Sequence, residues 1–222
     1  MKRKSFAILG LGIFGSTMAK TLSEYGYDVI GIDQDSVNVD RVSEFATQAV
    51  QADFTDIDQL RAIGVQDVDV AVIATGSKLE ASVMAVLHLK ELGVPFILAK
   101  AKNKVYMQIL LKVGADRVVR PEKEMGERVA KSLMSQNIID MVDIDDDYSM
   151  MELSAPKDWV GKKLVNLDLR ARFGVNVLGV RATENAKLDF GINADYIIHE
   201  EDTLLVIVEN NKFEELEYQG KI

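Results

Sequence analysis

A chain of 222 residues, 48% of them hydrophobic, has length and apolar content for one or two domains with sizeable cores. It contains no cysteine, which excludes disulfides, thiolate nucleophiles and cysteine-ligated metals. A net charge of −9 argues against bulk nucleic-acid binding, which needs a basic footprint, and leaves room for docking onto a basic partner.

In chain order, Phe6-Ala-Ile-Leu reads as a strand. Gly10-Leu-Gly12-Ile-Phe-Gly15 reads as a glycine turn opening an amphipathic helix, and Val29-Ile-Gly-Ile-Asp33 as a second strand ending in an acid. Gly10 allows the tight turn, Gly12 lets backbone approach a pyrophosphate, and Gly15 lets the helix pack closely on the strand. The helix N-terminus offers free N–H groups and its positive dipole end to phosphates. Asp33, 18 residues after Gly15, is placed to accept both ribose hydroxyls. Strand, turn, helix and terminal acid together predict nucleotide binding.

The alternation continues. Ser36 caps a helix to about Phe45, and Gln48 to Asp53 is a third strand. Thr55 or Asp56 caps a helix to Gly64. Val68 to Ala74 is a buried strand ending at Thr75-Gly76, followed by a helix from about Lys78 to Leu92 that stops at Gly93. Pro95 to Ala99 is strand five, Asn103 caps a helix to Val113 that stops at Gly114, and Arg117-Val-Val is strand six. Six short apolar strands separated by helices predict a Rossmann-like, doubly wound parallel sheet of the α/β class.

Pro121 then opens a helix with Met125, Val129 and Leu133 on one face. Residues 123–142 read as a helical connector between a nucleotide-binding domain, 1–122, and a smaller α+β domain, 143–222. In that second domain, strands are expected at Tyr148 to Leu153, Val175 to Arg181 and Thr203 to Val208. One short helix runs from Val165 to Phe173, and a terminal helix from Phe213 to Tyr218. No apolar run of about 18 residues occurs, and the basic Met1-Lys-Arg-Lys start passes straight into a strand, so a cytoplasmic protein is expected.

Several side chains fall at the sheet's C-terminal edge, which faces the nucleotide in such folds. Asp53 can accept an adenine amino group, fix its loop or cap the next helix. Lys100 and Arg117, at the ends of strands five and six, approach phosphates or form surface ion pairs. Glu122 lies in a first helical turn, where the dipole favours a carboxylate. The helices 78–92 and 103–113 are apolar over more than one stripe, whereas packing on one sheet face needs only one, so the second stripe predicts a subunit interface. Catalytic machinery is poorly represented. His88 reads as a core or interface residue, His199 as solvated, and Lys78 has no acid–base partner at a suitable spacing. A small NAD(P)-dependent oxidoreductase needs such a pair, and a DNA-binding redox sensor needs a basic helix-turn-helix.

The segments Phe6 to Gly15, Asp33-Gln-Asp35, Ala52-Asp-Phe-Thr55, Leu98-Ala-Lys-Ala101, Gly114 to Glu122 and Leu164 to Gly174 carry a family resemblance. The first domain resembles the RCK domains that regulate potassium conductance, and the second resembles the TrkA-C module. Together they resemble the cytosolic gating subunits of bacterial Ktr/Trk potassium uptake systems. That resemblance implies a non-enzymatic protein, a homodimer arranged in an octameric ring, at the inner face of the membrane under a potassium channel subunit. It implies ATP or ADP, or NAD(H), in the first domain. The implied cofactor-binding set is Gly10, Gly12, Ile13, Phe14, Gly15, Asp33, Asp35, Asp53, Phe54, Thr75, Gly76, Lys100 and Arg117. The three glycines would hold phosphates, Asp33 and Asp53 ribose and adenine, and Glu122 a divalent cation near the phosphates. Members of the Ktr type usually carry arginine between Gly12 and Phe14, and Ile13 departs from that. The resemblance also implies cyclic di-AMP across a two-fold axis of the second domain, at Leu164, Val165, Asp168, Arg170, Asn176 and Ile192. A proline usual near position 192 is missing.

Overall fold

The computed structural model describes residues 3–76, 78–133, 135–183 and 185–212. The expected terminal helix at 213–218 lies outside them. The chain divides into two compact units, Met1–Lys123 and Glu124–Ile222.

The first unit runs β1 (Ser5–Leu9), α1 (Ile13–Glu24), β2 (Asp28–Asp33), α2 (Ser36–Ser43), β3 (Gln48–Gln51), α3 (Ile57–Ile63), β4 (Val70–Ile73), α4 (Leu79–Glu91), β5 (Phe96–Lys100), α5 (Lys104–Val113) and β6 (Arg117–Val119). The six strands form one parallel sheet in the order β3-β2-β1-β4-β5-β6. Side chains alternate across it, so apolar strands bury both faces. Leu9, Ile32, Ile73 and Ile97 pack to one side with Leu60 and Leu89, and Ile8, Val29 and Val72 to the other with Leu11 and Val42. Strand order reverses between β1 and β4, so the loops leaving those strands diverge and open a crevice. Leu9, Ile32 and Ile73 lie level in the ladder, so Gly10, Asp33 and Ala74 leave the sheet at one edge.

Local chemistry sets the helix ends. Asp56 caps α3, accepting from the N–H groups of Asp58 and Gln59 at 2.9 and 3.3 Å, and Asn103 caps α5 through the Tyr106 N–H at 2.8 Å. At α2 the cap is Asp35, which accepts from the Val37 N–H at 3.0 Å. Ser36, expected to cap, is the first helical residue.

α6 (Pro121–Ser132) leads into the second unit, with β7 (Ile138–Asp143), β8 (Tyr148–Ser154), α7 (Leu164–Leu167), α8 (Leu169–Phe173), β9 (Val175–Arg181) and β10 (Thr203–Glu209). The sheet is antiparallel in the order β7-β8-β10-β9. Met151, Leu153, Val206 and Val208 from its inner face pack with Trp159, Leu167 and Phe173.

Two expectations are corrected here. Residues 138–142, read as the end of a helical connector, form β7 and pair with β8. A bulge between Ile138 and Asp140 breaks the alternation that marks a strand, and the pairing partner lies across the acidic turn at 144–147. The single helix expected at 165–173 is two helices, because Asp168 between them takes a left-handed φ of 45°. Aspartate tolerates that conformation better than most residues. The break buries both Leu167 and Leu169.

Candidate functional site

A cleft of about 1280 Å³ opens at the C-terminal edge of the parallel sheet. The loops after β1 to β5, the start of α4 and the first turn of α6 line it.

The glycine turn shows three distinct roles. Gly10 has φ of 94°, a left-handed conformation, and a side chain there would crowd the Thr75 backbone at 3.3 Å. Gly12 has open space where a side chain would stand. It caps α1 with no side-chain hydrogen bond, so the first-turn N–H groups are available to an anion. Gly15, carried over as a phosphate contact, does not line the cleft. A Cβ there would sit 1.9 Å from the Gly10 carbonyl oxygen, so its role is helix-on-strand packing.

Between the first two glycines, Leu11 is held on three sides. Its side chain is fully buried, its N–H donates to Asp33 Oδ2 at 2.5 Å, and its carbonyl accepts from Arg41 Nη2 at 2.8 Å. Arg41 also donates to Asn38 Oδ1 at 2.9 Å. The turn is therefore set by groups from β2 and α2. Asp33 additionally accepts from the Asp35 N–H at 2.9 Å and from Asn38 Nδ2 at 3.4 Å. A carboxylate offers roughly four lone-pair positions. Three of them meet protein donors, the Asn38 contact being the longest.

Asp53 Oδ1 accepts from the Thr55 N–H at 2.8 Å and hydroxyl at 2.6 Å. The Thr55 hydroxyl bond is the chief reason its carboxyl lies below the usual aspartate range. Capping of α3 falls to Asp56, so Asp53 is a loop-fixing acid on the cleft wall. Phe54 lines the cleft and packs partly against the core. Asp35 is a helix cap away from the cleft.

On the opposite wall stand Thr75, Gly76, Lys78, Lys100, Lys102 and Glu122. The Lys100 side chain is only 16% exposed and forms an ion pair with Glu122, whose carboxyl the lysine holds below the usual range. Its ammonium lies 5.5 Å from the Phe14 ring centroid. Phe14 packs behind the site, and Ile13, 88% exposed, lies outside the lining. Arg117 is corrected. It begins β6, pairs with Leu98 two residues before Lys100, and stands outside the cleft, because the edge of that three-residue strand is at Val119. Among the described residues, no group of three or more His, Asp or Glu side chains could hold a metal. Glu122 is a single carboxylate already answered by Lys100, so the described residues of one chain do not fit a divalent cation there.

Gln34, Asn38, Lys102 and Tyr106 line the cleft without having been anticipated. Gln34 and Lys102 stand one and two residues beyond strand ends, a signal that could have found them. The Lys102 ammonium lies 4.7 Å from the Tyr106 ring centroid.

In the second unit, the N–H groups of Leu164 and Val165 donate to the carbonyls of Tyr196 and Ala194 at 3.0 and 2.9 Å. This ties α7 to the segment following Ile192. Leu164 and Ile192 pack partly against the core. Val165 and Arg170 are exposed, Asp168 lies between the helices, and Asn176 pairs with Ile207 in the sheet.

The first unit is thus a Rossmann-type domain whose open crevice carries the phosphate-loop geometry. The TrkA-N domain model matches residues 6–121, and the TrkA-C domain model residues 149–217. The chain is 36% identical to Ktr system potassium uptake protein C of Bacillus subtilis (strain 168), over 92% of both chains. To Ktr system potassium uptake protein A of the same organism it is 33% identical, over 99% of this chain and 98% of that one. The chain belongs to the Ktr potassium uptake family, built of a TrkA-N (RCK) domain followed by a TrkA-C domain. In fold it is similar to the GsuK channel bound to NAD, with a TM-score of 0.66 at 18% identity. It covers 39% of that chain's length, which in turn covers 98% of this one. No helix among the described residues is long and apolar enough to cross a membrane.

Proposed function

We propose that this protein is the cytoplasmic regulatory subunit of a Ktr/Trk-type potassium uptake system, non-enzymatic and docked on a membrane-embedded channel subunit. Its input is an adenine nucleotide, ATP or ADP or NAD(H), in the first-unit cleft. One observation carries the reading: a preset glycine turn, with open space at Gly12 and uncapped N–H groups on α1, faces the crevice of a Ktr-family chain. Nucleotide phosphates meet backbone N–H groups at Gly12 and the ammonium groups of Lys78 and Lys100. The nucleoside lies toward Asp33 and Asp53. A phosphate near Lys100 competes with Glu122 for one ammonium, and this links cleft occupancy to the first turn of α6. A ligand shifts the subunit between states only by its differential affinity for them.

The reading extends to a homo-oligomer, a dimer assembling to an octameric ring, and to cyclic di-AMP as a second ligand on the second unit. It includes no cation held by one chain alone. Native mass spectrometry of the purified protein with ATP, ADP, NADH and cyclic di-AMP reports ligand and stoichiometry together. Potassium uptake into vesicles carrying the channel subunit, with and without this protein, tests the output. Failure to bind any adenine nucleotide, or unchanged uptake, would overturn the reading.

A further inference from the structure

We propose that His88 is a positioning residue for the loop Asp53-Phe54-Thr55, and that it thereby sets how well the cleft selects a 6-aminopurine over a 6-oxopurine. The inference rests on the reading of the cleft as a purine-nucleotide site. Moving outward from the switch point, β1 carries the phosphate turn, β2 the acid Asp33, and β3, at the sheet edge, the loop with Asp53. A nucleotide with phosphates over Gly12 and ribose near Asp33 brings its base toward that loop. A carboxylate is an acceptor only. It suits the amino group of adenine and repels the carbonyl of hypoxanthine.

The loop is held by its own groups, by Gln59 of α3, and by the Gln34 side chain beyond β2, which hydrogen-bonds the Asp53 carboxylate. Both Thr55 donors go to Asp53 Oδ1, and the Asp53 N–H donates to Gln59 Oε1 at 2.9 Å. The Thr55 carbonyl adds the tie to α4. It lies 3.1 Å from Nε2 of His88, half-buried on α4. A carbonyl only accepts, so Nε2 carries the proton. Thr55 thus has every polar group fixed, two by Asp53 and one by His88, and the last bond crosses to a different helix. The same helix donates from Ser82 Oγ to the Thr75 carbonyl at 3.4 Å on the facing wall. His88 therefore sets the placement of the Asp53 carboxylate relative to α4, without itself lining the cleft.

The experiment compares wild type, His88→Leu and His88→Gln by calorimetry with ADP and with IDP, whose base lacks the amino group. Leucine removes the donor and keeps good helix propensity, and glutamine restores an N–H donor of similar reach. Wild type binds ADP more tightly than IDP. The expected loss in H88L is about fivefold for ADP, the effect of one hydrogen bond, with IDP nearly unchanged, so the ratio collapses. H88Q keeps the ratio. Should H88L fail to fold, His88→Asn, whose amide falls short of the Thr55 carbonyl, replaces it with the same expectation. An unchanged ratio in a folded variant, or equal weakening of both ligands, overturns this inference alone. Wild type that binds neither nucleotide overturns the reading of the cleft and the inference with it.

Discussion

Gly12 and Gly15 stand three residues apart in one motif, yet a methyl group acts differently at each. Gly12 has a φ of −62° and open space around its Cβ position, so Gly12→Ala folds normally. The methyl occupies the space a phosphate needs, and nucleotide affinity is expected to fall by tenfold or more in calorimetry. At Gly15 the methyl would meet the Gly10 carbonyl at 1.9 Å. Gly15→Ala is expected to lower stability by about 1–3 kcal/mol, as overpacking does, seen as a lower melting temperature without ligand. A tolerated G15A would contradict the packing role. Ile13 invites the opposite change. Arginine there, usual in the Ktr-type resemblance, adds a charge-assisted phosphate contact of roughly 1.5–3 kcal/mol. Ile13→Arg is expected to tighten ATP by tenfold or more, beyond its effect on AMP. Much of this site was legible because strand, turn, helix and terminal acid have fixed spacings, which locate Gly10, Gly12 and Asp33. The clamp on Leu11 was not legible. It depends on Arg41 reaching back from α2, a contact that no spacing rule announces. Arg117 was misplaced because a strand of three residues leaves little to tell its start from its end.

The elements most legible in the sequence were those ended by local chemistry. Asp56, Asn103, Gly64 and Gly114 act within a few residues of themselves, so α3 and α5 fall where caps and stops put them. β7 was missed because its identity lies in β8, beyond an acidic turn, and its bulge places two apolar residues side by side. α6 is tied to β7 by ion pairs of Arg128 with Asp140 and Lys131 with Asp143. Each cation holds its partner's carboxyl below the ordinary value of 3.8. A depressed pKa contributes stability above the unfolded value, lost as pH falls through the folded one. The pairs are partly exposed, so solvent screens them and their worth is small. The double variant Arg128→Ala/Lys131→Ala is expected to melt below the parent at pH 7, with the gap narrowing as the pH falls below the ordinary aspartate value of 3.8 and through the lowered folded one. A constant offset across that range would show the pairs to be electrostatically idle.

On the scale of the whole molecule, the outward face of the first unit bears on assembly. Leu87 of α4 is 47% exposed and Leu111 of α5 is 41% exposed, on helices that already bury another stripe against the sheet. Leu87→Glu with Leu111→Glu is expected to preserve the melting temperature and reduce assembly mass in native mass spectrometry. Unfolding or unchanged mass would remove this face from the interface. Met84 is less suitable for that test because it also lines the cleft. The second unit supplies the other whole-molecule question, whether the protein answers to one ligand or two. Cyclic di-AMP is two-fold symmetric, so under the proposed reading a symmetric pair of chains would bind one molecule on its axis. Val165, 57% exposed, and Leu164 stand on α7, anchored beside Ile192 through the Ala194 and Tyr196 carbonyls. Arg170 stands exposed on α8, and in the proposed reading each of two chains would offer its copy to a phosphate of the same ligand. Removing it strikes the ligand twice. The expected loss in Arg170→Ala therefore exceeds the roughly 1.5–3 kcal/mol of a single charge-assisted contact. The affinity of the first-unit cleft for ADP, measured on the same full-length protein, stays unchanged. One ligand per chain, or no binding near 10 μM, a free energy of about −7 kcal/mol, would leave the second unit a structural clamp and nucleotide in the first-unit cleft as the subunit's single input.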